Sequence, residues 1–183
     1  MILLRHGQSE YNHAMSTTGR DPRIPDPSLT ALGERQAEAA ARALAESDPP
    51  ITRILVSPYR RALQTAAPLA ARLGIVPEVT GLLRERCASS CDIGRPRMVV
   101  ASEWPHLDLS HLDEIWWPRR AESEAQVMGR AAEFLALAAA RPDWETTVAV
   151  CHWGIALAIC GESLDNGTWA RVDPTAPHRG EFW

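Results

Sequence analysis

"LLRHGQSEYN", Leu3 to Asn12, is the stretch from which the rest of the chain can be read. The apolar run Ile2 to Leu4 is too short for a helix and reads as a buried strand. It ends on Arg5 and His6, and Gly7 then suits a sharp turn in which backbone N–H groups approach a ligand. Ser9 marks the start of a helix whose positive end would aim at the same place. The first strand therefore delivers a guanidinium and an imidazole to the mouth of a helix.

Two more apolar segments, Ile51 to Val56 and Thr147 to Cys151, have the β-branched enrichment of central strands, and a short strand fits Thr168 to Val172. Helices fall between them. Leu29 to Glu46 places Leu29, Leu32, Ala40, Ala43 and Leu44 on one stripe, with Glu38 and Arg42 as an i,i+4 pair. Ser57-Pro58 supplies a cap and a first-turn proline to a helix carrying Arg60, Arg61, Thr65 and Leu69. From Ala121 to Ala140, Val127, Ala131, Phe134, Leu135 and Ala138 recur at helical spacing, and Pro142 ends the pattern. Strand alternating with helix predicts an α/β three-layer sandwich with a mostly parallel central sheet and helices on both faces. Two stretches interrupt the alternation: 19–27, rich in proline and aspartate, and 81–118, long and irregular, with Trp104, Trp116 and Trp117. The second is expected to be a lid or insertion within a single domain covering 1–183.

Composition sets bounds on this reading. A chain of 183 residues, 45% hydrophobic and 23% charged, buries about 70% of the surface its unfolded form exposes, and needs no disulfide or metal to do so. The net charge of −4 argues against a nucleic-acid partner held by an overall positive field, and no apolar run approaches the length of a membrane span. The start of the chain on an apolar strand, with no leader pattern, predicts a cytoplasmic location in which Cys87, Cys91, Cys151 and Cys160 stay reduced. Cys87 and Cys91 lack the matching downstream pair of a zinc site. Oligomeric state is left open, a homodimer being one option.

In open α/β sheets ligands sit outside the carboxyl ends of the strands. There the sequence puts Arg5 and His6 after the first strand, Arg60 and Arg61 just past the second, and His152 after the third. Cationic forks, a helix dipole and imidazoles form a site for a dianion, and a phosphoryl group fits best: arginines pair its oxygens bidentately and a neutral imidazole attacks phosphorus.

"LLRHGQSEYN" resembles the Arg-His-Gly signature of the histidine phosphatase superfamily, which includes cofactor-dependent phosphoglycerate mutases. The likeness continues through "LTALGERQA", "SPYRRALQTA", "LLRER", "AESEAQVMGR" and "VAVCHWGI", in the family's order, over roughly Met1 to Cys160. The resemblance implies a nucleophile at His6, phosphate-binding groups at Arg5, Asn12, Arg61 and His152, and a proton donor at Glu85. Arg61 is taken over Arg60 because it directly precedes Ala62 to Ala66, the family's Ala-x-x-Thr-Ala. It implies a metal-independent phosphatase that needs no cofactor and acts on a small phosphorylated metabolite. Gly7, Trp153 and Arg86 join Asn12 as substrate-binding candidates. Where the family commonly has a hydroxyl residue before the second histidine and a glycine after it, this chain reads Cys151-His152-Trp153-Gly154. The short stretch after Cys160 favours phosphatase over mutase, whose chains are typically longer. Competing readings are a mutase-type transfer, a phospho-ligand or protein-binding module without turnover, and a metal-dependent hydrolase built on His6, His152 and Asp92, which predicts loss of activity to chelators.

Overall fold

The structure, a computed structural model, describes residues 1–176. Its first strand, β1 (Ile2–Arg5), leads through α1 (Glu10–Thr18) and α2 (Ala31–Ala45) to β2 (Arg53–Val56). Then come α3 (Arg60–Leu73), β3 (Glu78–Val79), α4 (Arg97–Glu103), α5 (Glu124–Ala139), β4 (Thr147–Cys151), α6 (Trp153–Cys160) and β5 (Trp169–Arg171). The sheet runs β3-β2-β4-β1-β5, with every pairing parallel except β1 with β5. The expected α/β sandwich is present, and the antiparallel edge strand falls within the segment 168–172 predicted for it.

Alternation along β1 sorts its side chains between two cores, because successive residues of a strand face opposite sides of the sheet. Ile2 and Leu4 pack with Ala40, Leu44, Leu63 and Leu69 of α2 and α3. Met1 and Leu3 pack with Val127, Phe134 and Ile155 of α5 and α6. Helices therefore cover both faces. In α5 all five residues of the predicted stripe are buried.

In α2 the stripe is rotated from the predicted one. Gly33, Ala37, Ala40, Ala41 and Leu44 face the sheet, whereas Leu32 is 42% exposed and Ala43 faces solvent. The cause is close backbone contact: a Cβ on Gly33 would lie 2.1 Å from the Gln8 carbonyl oxygen, so glycine and small residues, not leucine, set the buried face. Glu38 pairs with Arg72 of α3 and not with Arg42, since the two helices pack side by side.

The 81–118 stretch is more ordered than expected. It contains α4, and Val100, Leu107 and Leu109 enter the α2/α3 core. Trp116 is buried and donates its indole N–H to the Arg95 carbonyl at 2.9 Å, which makes it a packing residue. The neck of the excursion is stapled by Glu122, whose carboxylate takes Arg84 at 2.7 Å and Arg130 at 3.0 Å and also accepts the Cys87 N–H at 3.1 Å. Removing one member of a buried charge network leaves the others uncompensated. Glu122→Ala is expected to cost about 3 kcal/mol and lower Tm by roughly 9 °C, read by calorimetry; an unchanged Tm would show the staple to be energetically idle.

Candidate active site

Register places the two histidines together. Arg5 pairs with Cys151 across adjacent parallel strands, so the next residues, His6 and His152, leave the same end of the sheet. Their ring centroids are 4.9 Å apart and both are buried. β2 lies on the other side of β4, and its exit delivers Ser57, whose hydroxyl is 2.8 Å from His152 Nε2. Ser57 is therefore not a helix cap. Tyr59 occupies the cap position and α3 begins at Arg60, which makes Arg61 the second helical residue.

His6 Nδ1 donates to its neighbour's carbonyl, Gly7 O, at 2.7 Å. That bond fixes the tautomer and leaves Nε2 as the bare nitrogen, on which Arg61 Nε–H rests at 3.3 Å. Gly7 differs from the expectation: its N–H goes to Thr65 Oγ1 at 3.1 Å and does not face the cleft. Its importance is steric, since a Cβ there would meet the Gly33 carbonyl oxygen at 2.4 Å.

Arg61 is held from three sides. Nη1 donates to Cys91 O at 2.8 Å, Nη2 lies 3.5 Å from Asp92 Oδ1, and the guanidinium stacks 4.5 Å from the centre of the Tyr59 ring. Burial works against its charge, but the acidic groups of Cys91, Tyr59, Asp92 and Asp26 around it outweigh burial and raise its pKa. Arg5 donates from Nη1 to Leu164 O at 2.5 Å. Asp92 is a residue the sequence did not assign to this role: its Oδ2 accepts the N–H groups of Ala88 and Ser89 at 3.0 and 2.9 Å, shaping the loop that carries Cys91 O. Its Oδ1 lies against Arg61 Nη2 and the Cys91 thiol, at 3.5 and 3.3 Å, and among the described residues no group of three His, Cys, Asp or Glu side chains is gathered as the metal reading required.

Glu85 is reached by a second close approach. Its Oε1 accepts the N–H of Gly154, in the first turn of α6, at 2.9 Å and that of Arg86 at 2.8 Å. A side chain at 154 would collide with it, its Cβ lying 2.5 Å from Oε1. Burial first, then the charge of Asp92, raises the Glu85 pKa against the pull of those N–H groups. Burial and the neighbouring arginines, Arg61 foremost, push the pKa of His6 and of His152 well below the usual 6.5. The thiols of Cys87 and Cys91 are both raised by burial, and all four cysteines are free.

These groups surround a cleft of about 320 Å³, which Tyr11, Arg86, Ser89 and Trp153 also line. Trp153 is 38% exposed and its indole N–H is tied to Ser163 Oγ at 2.9 Å. Asn12 also lines the cleft, and its side-chain oxygen closes a capping box with Ser9. Every predicted site residue except Gly7 borders the cleft or, for His152, packs edge-on against the ring of His6. Among the described residues no helix is long and apolar enough to cross a membrane.

An α/β sheet with two imidazoles, two arginines and a carboxyl gathered at one end is the architecture of the phosphoglycerate mutase-like enzymes. The chain belongs to the histidine phosphatase superfamily (branch 1), whose family model matches residues 1–176. It is 32% identical over 173 residues to a glucosyl-3-phosphoglycerate phosphatase of Mycobacterium tuberculosis, covering 90% of this chain and 74% of that one. It is 35% identical over 164 residues to an acid phosphatase of the same organism, covering 87% and 72%. A solved structure of the mycobacterial glucosyl-3-phosphoglycerate phosphatase complexed with VO3 superposes with a TM-score of 0.64 at 28% identity, over 92% of this chain and 88% of that one.

Proposed function

We propose that this chain hydrolyses the phosphomonoester of a small metabolite through a phosphohistidine on His6. The observation that carries the reading is the anchoring of His6: with Nδ1–H committed to Gly7 O, Nε2 is the nitrogen that attacks. In the first step Nε2 forms the P–N bond as the P–O bond to the leaving alcohol breaks. Glu85, holding its proton, gives it to the departing oxygen. In the second step the Glu85 carboxylate takes a proton from water, the hydroxide attacks phosphorus, and the P–N bond breaks to free inorganic phosphate and neutral His6.

Charge on the transferring oxygens is met by Arg5, Arg61 and His152, each contributing roughly 3 kcal/mol to the transition state, as oxyanion donors do. A Ser57 hydroxyl donating to His152 Nε2 leaves the proton on Nδ1, and that buried nitrogen has no partner among the described residues, which suits a hydrogen bond to a phosphoryl oxygen. The phosphatase activities named for the relatives support hydrolysis over transfer to a second alcohol.

The leaving group departs beside Glu85, and so passes Arg86 and Trp153. The tethered indole offers a flat face to a ring-bearing alcohol, and Arg86 a positive charge to a second anionic group. Trp153→Ala is expected to lower kcat/KM for ring-bearing phosphates about tenfold, the worth of one ring contact of about 1.4 kcal/mol, and for glycerol phosphate less than twofold. Equal losses on both would remove the indole from substrate choice.

The decisive experiment traps the intermediate. Purified protein mixed with ³²P-labelled phosphomonoesters and quenched in base should carry acid-labile label that chases to free phosphate. Label chasing instead onto a second hydroxyl would indicate a mutase. Phosphate binding with no labelled protein would indicate a binding module.

A further inference from the structure

The chain from Leu164 to Thr168 runs beside the catalytic turn and bonds to both Arg5 and His6. Leu164 O receives Arg5 Nη1, Thr168 O receives the Arg5 backbone N–H at 3.0 Å, and the Gly167 N–H reaches Arg5 O and His6 O at 3.2 and 3.1 Å. Asn166 adds a side chain to this clamp. Its Nδ2 donates to His6 O at 3.1 Å and to Asn12 Oδ1 at 3.2 Å.

A primary amide can turn over, presenting either its oxygen or its NH₂ to a given side. At Asn12 the choice decides whether the cleft sees a donor or an acceptor. Asn12 Oδ1 accepts from the Ser9 N–H at 3.1 Å, from the Ser9 hydroxyl at 2.9 Å and from Asn166. Three donors converge on the side where the oxygen lies. In the reversed amide, NH₂ would face those donors and the oxygen would face the anion. The Ser9 hydroxyl can rotate and become an acceptor, which leaves the Ser9 N–H as a single fixed donor against the reversal. The Asn166 donor adds a second, as its own bond to His6 O keeps the NH₂ pointed that way.

We propose that Asn166 is a positioning residue that locks the Asn12 amide with its NH₂ toward the phosphate subsite, and through His6 O steadies the turn that carries the nucleophile. The inference rests on the functional reading above, in that the cleft takes an oxyanion. It concerns a residue that touches no substrate, so its effect must pass through Asn12.

The experiment is a double-mutant cycle read by inorganic phosphate affinity, measured by calorimetry and by product inhibition, alongside thermal melts. Asn166→Ala is expected to weaken phosphate about tenfold, and the isosteric Asn166→Asp about a hundredfold, since a carboxylate repels Asn12 Oδ1 and rewards the reversed amide. In an Asn12→Ala background, Asn166→Ala should change phosphate affinity less than twofold. Losses of the same factor in both backgrounds, or no loss in the first, would overturn the proposal. A variant that fails to fold is replaced by Asn166→Ser, which must show the same background dependence. Failure of the catalytic reading would look different: the cycle would remain non-additive while no phosphoenzyme formed.

Discussion

His6→Ala is expected to abolish turnover, with at least a 10⁴-fold fall in kcat and no acid-labile phosphoprotein, while the protein still melts cooperatively and still binds phosphate. The size of the effect follows from the role. Loss of a nucleophile leaves only the oxyanion groups and binding to act, as with triads stripped of their serine. Folding should survive because the ring's shortest bond is to its own neighbour's carbonyl, and Arg61, its other partner, stays held by Cys91 O and Asp92. Retained phosphate binding separates loss of chemistry from loss of the site. A variant releasing phosphate at the parent rate would eliminate the phosphohistidine.

Glu85→Gln should lower kcat on alkyl phosphates about 10³-fold but on p-nitrophenyl phosphate only roughly tenfold in its first step, because a leaving group that departs as a stable anion needs no proton. Dephosphorylation still needs a base for water, so the variant should show a burst followed by slow turnover, with labelled His6 accumulating. The pH profile adds a test of sign. With ordinary values near 4.5 for glutamate and 6.5 for histidine, His6 would be protonated wherever Glu85 held its proton, and the productive pair would be scarce. The structure moves both values in the useful direction, His6 downward by burial and by Arg61 and Arg5, Glu85 upward by burial and by Asp92. The kcat/KM profile should therefore be a bell, its alkaline limb set by Glu85 above the ordinary glutamate value and its acid limb by imidazole below the ordinary histidine value. In Glu85→Gln the alkaline limb should vanish. An unchanged limb would assign it to another group.

Arg5, His6 and His152 were legible because each follows an apolar run that can only be a central strand, so the strand's end locates them without further knowledge. Arg61 was legible for the neighbouring reason, a helix entered straight from a strand. What escaped depends on contacts far apart in sequence. Ser57 looked like a cap because its local pattern is that of a cap; only the adjacency of β2 and β4 gives its hydroxyl to His152. Leu32 looked like core because hydropathy ignores how closely a glycine lets two backbones approach. The helix α4 and the two-residue β3 are too short for periodicity to register, and they lie in or beside the stretch read as irregular. Asn166 precedes a glycine with positive φ and so signals a turn, but its partner Asn12 lies at the other end of the chain.

The pairing of β1 with β4 also governs when the molecule becomes competent. The two imidazoles lie far apart along the polypeptide, yet they become neighbours through a single register, Arg5 beside Cys151. A chain in which β4 has not yet paired with β1 cannot bring the two rings together, so competence arrives with that one pairing.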